Sequence, residues 1–445
     1  MYIRKIEKIL TEWKNTQGHK PLVIKGVRQC GKTSSVLDFA KKNYENVVYL
    51  DFHRQEELIE LFSGSLETDY LTMVISASLP GTRFVPGKTC LIFDEIQNCP
   101  RARSSLKFFK IDGRYDVICT GSLLGVNGYK NDDLQKKDEE ASVPVGYERI
   151  VDMYPMDFEE WLWANDMPQG IFELLKKHLQ EEIPVPDAIH NRMRQLLLEY
   201  IVVGGMPEAV QTFFDTHDMN QVIEVQKGII EEYKADMVKY ARSADKPKIR
   251  ECFESITRQL SRDNKKFTYS VVHKGARSAE YVGSLQWIED AGIVRRCHNL
   301  QITKLPLSGN AIQDCFKIYM ADTGLFISML DEGTQADILQ GRLHSYKGAI
   351  YENVLADILG KMGRKLYYYQ KPDSLEIDFV IRYKGECTPL ECKARTGNAK
   401  SMKTLLKHPE KYHVYHALKV GDYNIGRSNQ LLTLPFYMAF LLTDL

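Results

Sequence analysis

The sequence predicts an α/β fold led by a parallel sheet with helices on both faces, and three observations carry that expectation. An apolar run at residues 21–25 leads into the octapeptide GVRQCGKT, Gly26 to Thr33, and a helical run at 33–42 follows it. A second apolar run at 90–95, CLIFDE, ends in two carboxylates. Three further strand-like runs, at 47–51, 116–120 and 148–153, alternate with helical ones, the pattern of a doubly wound sheet.

Taken in order, residues 1–15 set Ile3, Ile6, Leu10 and Trp13 near helical spacing, so this stretch reads as an amphipathic helix lying on the sheet. The octapeptide reads as a phosphate cradle. Gly26 and Gly31 let the backbone approach a polyphosphate, the N–H groups through Arg28, Gln29 and Cys30 point inward, and the helix opening at Lys32, Thr33 and Ser34 adds partial positive charge. Lys32 takes the place that reaches the β- and γ-phosphates of ATP, and Thr33 that of a Mg²⁺ ligand. In the CLIFDE run, Asp94 would hold Mg²⁺ together with Thr33, while Glu95 would orient and polarise the attacking water. Thr120 closes the strand at 116–120, where a hydroxyl can sense a γ-phosphate. A Gly-rich turn that merely caps a helix is the plain alternative, and the acidic strand end weighs against it.

The phrases GVRQCGKT, FDEIQ, TGSLLG and YPMDFEEWLWA resemble the prokaryotic AAA-like ATPases, whose members carry a C-terminal domain of unknown function. The resemblance continues through YIVVGGMPEAV at 200–210, FKIYMADTGL at 316–325 and PLECKA at 389–394, and so spans nearly the whole chain. Arg28 and Gln29 match that family's G-x-R-Q loop, whereas Val27 and Cys30 are less typical. The resemblance implies ATP binding with Mg²⁺ and ATP hydrolysis by a P-loop ATPase domain. Should such a domain work as a homo-oligomer, a trans-acting arginine is expected, with Arg103 and Arg149 as candidates.

At 445 residues the chain is long enough for several domains, and zero net charge argues against a protein coated in nucleic acid while leaving local basic faces open. Nine cysteines without a C-x-x-C pair, no leader-like start and no long apolar run point to the cytoplasm and to no membrane partner. Four domains are expected: an AAA-like P-loop ATPase domain at 1–154, a helical lid and connector at 155–244, a winged-helix-like domain at 245–335, and a final α/β domain at 336–445. The polar stretch 127–145 reads as a mobile loop or hairpin, and Gly204-Gly205-Met206-Pro207 as a tight turn. In the third domain, residues 278–291 would form the recognition helix, with Lys265, Lys266, Lys274 and Arg277 near phosphates. Winged helices also bind proteins, so DNA and a protein partner both stay open.

The last hundred residues hold a helix near 348–360 and strand-like runs at 365–369, 375–383 and 386–393. Glu352 lies on the helix, Asp378 on the second run, and Glu391 and Lys393 share a face of the third by strand alternation. This order resembles the PD-(D/E)xK nuclease fold. The resemblance implies that Glu352, Asp378 and Glu391 bind Mg²⁺ and that Lys393 positions or deprotonates a water. The alternative is a degenerate domain in which Glu391 and Lys393 form an ion pair. Two functions therefore stand: an ATPase whose nucleotide state controls DNA-directed C-terminal chemistry, or an ATP-driven switch that binds a protein partner.

Overall fold

The computed structural model describes residues 2–126, 144–240, 245–262, 265–342, 347–371, 375–393 and 400–443. The chain divides into two compact units. The first comprises Met1–Pro155, Ala235–Lys246 and Asp290–Gly292, the second Met156–Lys234, Pro247–Glu289 and Ile293–Leu445.

The first unit is built on five strands: β1 (Leu22–Gly26), β2 (Asn46–Asp51), β3 (Thr89–Asp94), β4 (Asp116–Ser122) and β5 (Arg149–Asp152). They pair in the order β2-β3-β4-β1-β5, every pair parallel. Their apolar character follows from burial on both faces, since a parallel sheet covered by helices has no wet side. Alternation divides the side chains. Leu22, Ile24, Cys90, Ile92 and Ile118 face a core with Val36, Phe39 and the helix Lys5–Asn15, which contributes Ile6, Leu10 and Trp13. Val23, Leu91, Phe93, Val117 and Cys119 face the opposite core with Leu71, Ile75, Leu106 and Phe109. The α/β expectation holds here in each of its five strands. Most of the polar stretch at 127–145 lies outside the described residues.

The second unit gathers the stretches read as connector, winged helix and final domain. Up to Lys234 the helical stretch belongs to this unit, with Val185 and Asn424 exchanging two hydrogen bonds and His190 bonded to Tyr437. Its helices Asp187–Val203 and Pro207–Thr216 are separated by the expected tight turn. That turn is glycine for a steric reason: a Cβ on Gly205 would stand 2.0 Å from the Met156 carbonyl oxygen. The Gly205 N–H instead donates to Asp322 at 2.8 Å. Asp322 and Asp357 in turn flank the ammonium of Lys361, each at 3.1 Å, and the Tyr200 hydroxyl lies 3.0 Å away, all fully buried or nearly so.

Helices Lys246–Glu254, Ile256–Leu260, Tyr269–Val272 and Ser278–Asp290 precede an antiparallel hairpin of β6 (Val294–Leu300) and β7 (Ala311–Met320). The Phe267 N–H donates to the Phe316 carbonyl at 2.8 Å, tying the segment ahead of Tyr269–Val272 to that hairpin. The hairpin does not stop at residue 335 as a separate body: β6 also pairs in parallel with β8 (Leu366–Gln370), which pairs with β9 (Glu376–Ile377). A second sheet runs β10 (Phe379–Tyr383), β11 (Glu386–Lys393), β12 (Ala417–Gly421), β14 (Leu431–Pro435) and β13 (Gly426–Ser428). The run at 375–383 is thus two strands in two sheets, with Asp378 as the single residue between them. The helix expected near 348–360 spans Lys347–Lys361.

Candidate nucleotide site and acidic cluster

At the C-terminal end of β1 the octapeptide turns into the helix Lys32–Asn43, whose N-cap Gly31 has φ 93°, a backbone state that favours glycine. Lys32 is buried and donates to the carbonyls of Gly26 (3.1 Å) and Val27 (2.9 Å), so its ammonium lies within the loop. The Thr33 hydroxyl reaches both carboxylate oxygens of Asp94, at 2.9 and 3.0 Å. Thr120 also donates to Asp94, and Tyr49 donates to it at 2.7 Å. Three hydroxyls thus converge on one carboxylate at the end of β3. Burial first, and then Asp94, push the Tyr49 phenol above its ordinary pKa, which keeps it a donor. The pair Thr33 and Asp94 fits a Mg²⁺ site, being a hydroxyl and a hard carboxylate side by side. Glu95 follows with φ 51°, and its carboxylate accepts from Gln97.

The side chains around the cradle are held in several ways. The Cys30 thiol is buried against the Met153 carbonyl at 3.5 Å, so only its backbone is available to a ligand. Its carbonyl accepts from Arg4 at 2.9 Å, and Arg4 also holds Tyr154 at 2.7 Å. Arg28 forms an ion pair with Asp236 at 2.7 Å. Gln29 adopts φ 60° and Ser34 is exposed. Thr120 is buried behind Asp94 rather than presented to solvent. Of the two candidate fingers, Arg103 is tied inside its own unit by a two-pronged bond to Glu148 (2.7 and 3.1 Å) and another to the Val126 carbonyl. Arg149 is exposed at the start of β5, opposite Leu22, at the end of the sheet remote from the octapeptide. Arg4 and Tyr49 were not legible as site residues, because neither belongs to a spaced motif.

In the second unit the expected acids do come together. One step beyond the Phe379–Leu390 register pair, Asp378 lies beside Glu391, and the Cys392 N–H donates to Asp378 at 2.8 Å. Glu352 accepts from Tyr319 at 3.1 Å and is paired with Lys265; Glu391 is paired with Lys393 at 2.5 Å; Glu376 is paired with Lys317 at 2.7 Å. Burial raises Asp378, and the neighbouring Glu352 and Glu391 add to it, bringing its pKa to about 8. Burial also pushes Glu352 up, but Lys317 and Lys265 outweigh it and hold that carboxyl below its ordinary value. Lys317, nearly inaccessible on β7, is depressed by burial yet held above the usual lysine value by Glu352, Glu376 and Asp378.

Two expectations are corrected by this geometry. Among the described residues no three His, Cys, Asp or Glu side chains form a group that could hold a metal ion. Glu352, Asp378 and Glu391 as arranged therefore do not fit Mg²⁺; lysines and a backbone N–H take the places of a cation. Lys265, expected near nucleic-acid phosphates, is turned inward to Glu352, whereas Lys266, Lys274 and Arg277 are exposed. One oxygen of Glu391 is buried without a hydrogen-bond partner. No helix of the described residues is long and apolar enough to cross a membrane.

Residues 18–162 match the AAA domain family. Residues 194–336 and 347–437 match two families each described as a domain of unknown function, DUF8612 and DUF4143. No curated protein matches the chain. Among solved structures, the chain is similar to the Walker-type ATPase paby2304 of Pyrococcus abyssi at 16% identity, covering 74% of this chain and 96% of that one with a TM-score of 0.46. It is also similar to AMPPCP-bound DnaA from Aquifex aeolicus at 12% identity, covering 64% and 87% respectively with a TM-score of 0.26.

Proposed function

We propose that the AAA domain matched by residues 18–162 binds ATP with Mg²⁺ and hydrolyses it, and that its nucleotide state governs a winged-helix and nuclease-like region directed at DNA. The observation that carries the first half is the facing of Thr33 and Asp94 at 2.9 Å across the mouth of the octapeptide loop. Thr33 and Asp94 would hold Mg²⁺, which neutralises charge on the phosphates when bound. Lys32 leaves its loop carbonyls to take up a phosphate, and the N–H groups opening the helix Lys32–Asn43 bind the rest. Glu95, steadied by Gln97, accepts a hydrogen bond from the attacking water and aligns it.

The second half is supported by element order. Short helices followed by a hairpin, with Lys266, Lys274 and Arg277 exposed, suit a winged helix, and the helix Lys347–Lys361 followed by β8 to β11 suits a nuclease-like core. The lysine pairing of Glu352 and Glu391 favours a second reading, an ATP-driven switch for a protein partner with a silent C-terminal domain.

The test has two parts. Lys32→Ala should lose ATP binding, whereas Glu95→Gln should keep it and lose about 10²-fold or more in hydrolysis; turnover by Lys32→Ala at the wild-type rate overturns the ATPase half. Affinity for duplex DNA should fall steeply with salt, as phosphate neutralisation demands. An absent or salt-insensitive interaction favours the protein partner.

A further inference from the structure

Four carboxylates, Glu352, Glu376, Asp378 and Glu391, gather where the helix Lys347–Lys361 meets β9 to β11, and three ammonium groups answer them. Two of the three are carried by strands, β7 and β11. Lys317 is 1% exposed on β7, and Lys393 sits two residues from its partner on β11. Lys265 is different. It arrives from the segment ahead of the helix Tyr269–Val272, eighty-seven residues upstream of Glu352, and meets that buried carboxylate with a side chain that is itself 14% exposed. The backbone beside it is pinned, because Phe267 donates to Phe316. The four-carbon stem of a lysine nevertheless lets the ammonium swing out while the backbone stays.

A buried carboxylate without a counter-charge costs several kcal/mol, so whichever cation leaves Glu352 must be replaced. We propose that Lys265 is an intramolecular counter-ion holding the cation position of this cluster, so that its ammonium and a divalent metal ion exclude one another. The proposal rests on the nuclease-like reading of the domain. It accounts for buried carboxylates that lie close enough to perturb one another yet form no metal-holding group in this arrangement.

Mn²⁺ binding followed by electron paramagnetic resonance, without nucleotide and in a Thr33→Ala background that silences the octapeptide loop, tests it on the full chain. Lys265→Met should bind Mn²⁺ at least tenfold more tightly than its parent, Lys265→Arg should behave as the parent, and the gain should vanish when Asp378→Asn is added. If Lys265→Met does not fold, Lys265→Gln keeps a donor to Glu352 without the charge and replaces it, folding being checked by thermal melting in EDTA. Equal Mn²⁺ affinity with and without the lysine charge overturns the proposal, as does a gain that survives Asp378→Asn. The underlying reading fails separately. A Lys265-dependent gain with no nicking of plasmid DNA upholds the counter-ion and removes the nuclease, while nicking by a protein whose Mn²⁺ affinity ignores Lys265 does the reverse.

Discussion

Asp94 accepts from Thr33, Thr120 and Tyr49, and that convergence shows what residue-level reading can and cannot reach. Thr120 is expected at a γ-phosphate and not on Asp94, whereas Thr33 is legible, because phosphate and Mg²⁺ chemistry demands a hydroxyl after Lys32. Tyr49 is not, since any aromatic residue serves in a strand and its hydroxyl is directed only by the pairing of β2 with β3. A second polar knot, at the opposite end of the sheet, gives a pH prediction. His19 Nδ1 faces the Thr16 carbonyl at 2.9 Å and Nε2 faces Asp116 at 2.8 Å, so both ring nitrogens have an acceptor opposite them and the protonated ring can donate to both. The hydrogen bond to Asp116 is the main reason that His19 holds its proton above the ordinary 6.5. Its folded-state pKa exceeds the unfolded one, so the stabilisation is complete below pH 6.5 and fades as pH rises through the raised value. Thermal unfolding between pH 5.5 and 8.5 should show this loss in the wild type and a flatter profile in His19→Gln. Identical slopes would falsify the assignment.

At the scale of elements, the buried Lys361 joins parts of the chain that no local pattern connects. It ties its own helix to Asp322 after β7 and to Tyr200 on the helix Asp187–Val203, while the Gly205 turn is fastened to the same Asp322. Lys361→Met strands Asp322 and Asp357 in an apolar interior and should cost about 3–5 kcal/mol in urea unfolding. A loss below about 1 kcal/mol would mean that the acids are neutralised by other means. Element type was legible for the first unit because strands buried on both faces read as short continuous apolar runs. Alternation misled at 375–383, where an unbroken pattern reads as one strand. Only pairing reveals that β9 belongs with β8 and β10 with β11, leaving Asp378 at the crossing. The Lys265–Glu352 pair was equally hidden, being a contact between distant segments with no shared period.

For the whole molecule, the two units predict two calorimetric unfolding transitions rather than one. ATP with Mg²⁺ at about a hundred times its dissociation constant should stabilise the unit that holds the octapeptide by about 2.7 kcal/mol, raising one transition and leaving the other in place. A single transition, or equal shifts in both, would contradict that division. Four domains are expected from motifs and element order; β6 joins β8 in one sheet, and Val185 and His190 bond to Asn424 and Tyr437, links across the expected boundaries that no local pattern registers. The first body also borrows Ala235–Lys246 and Asp290–Gly292 from far along the chain. On a ribosome that adds about 5–20 residues per second, its N-terminal portion must wait several seconds, with the sheet already made, for the pieces that complete it. A gene truncated after Pro155 would fix the protein permanently in that unfinished condition.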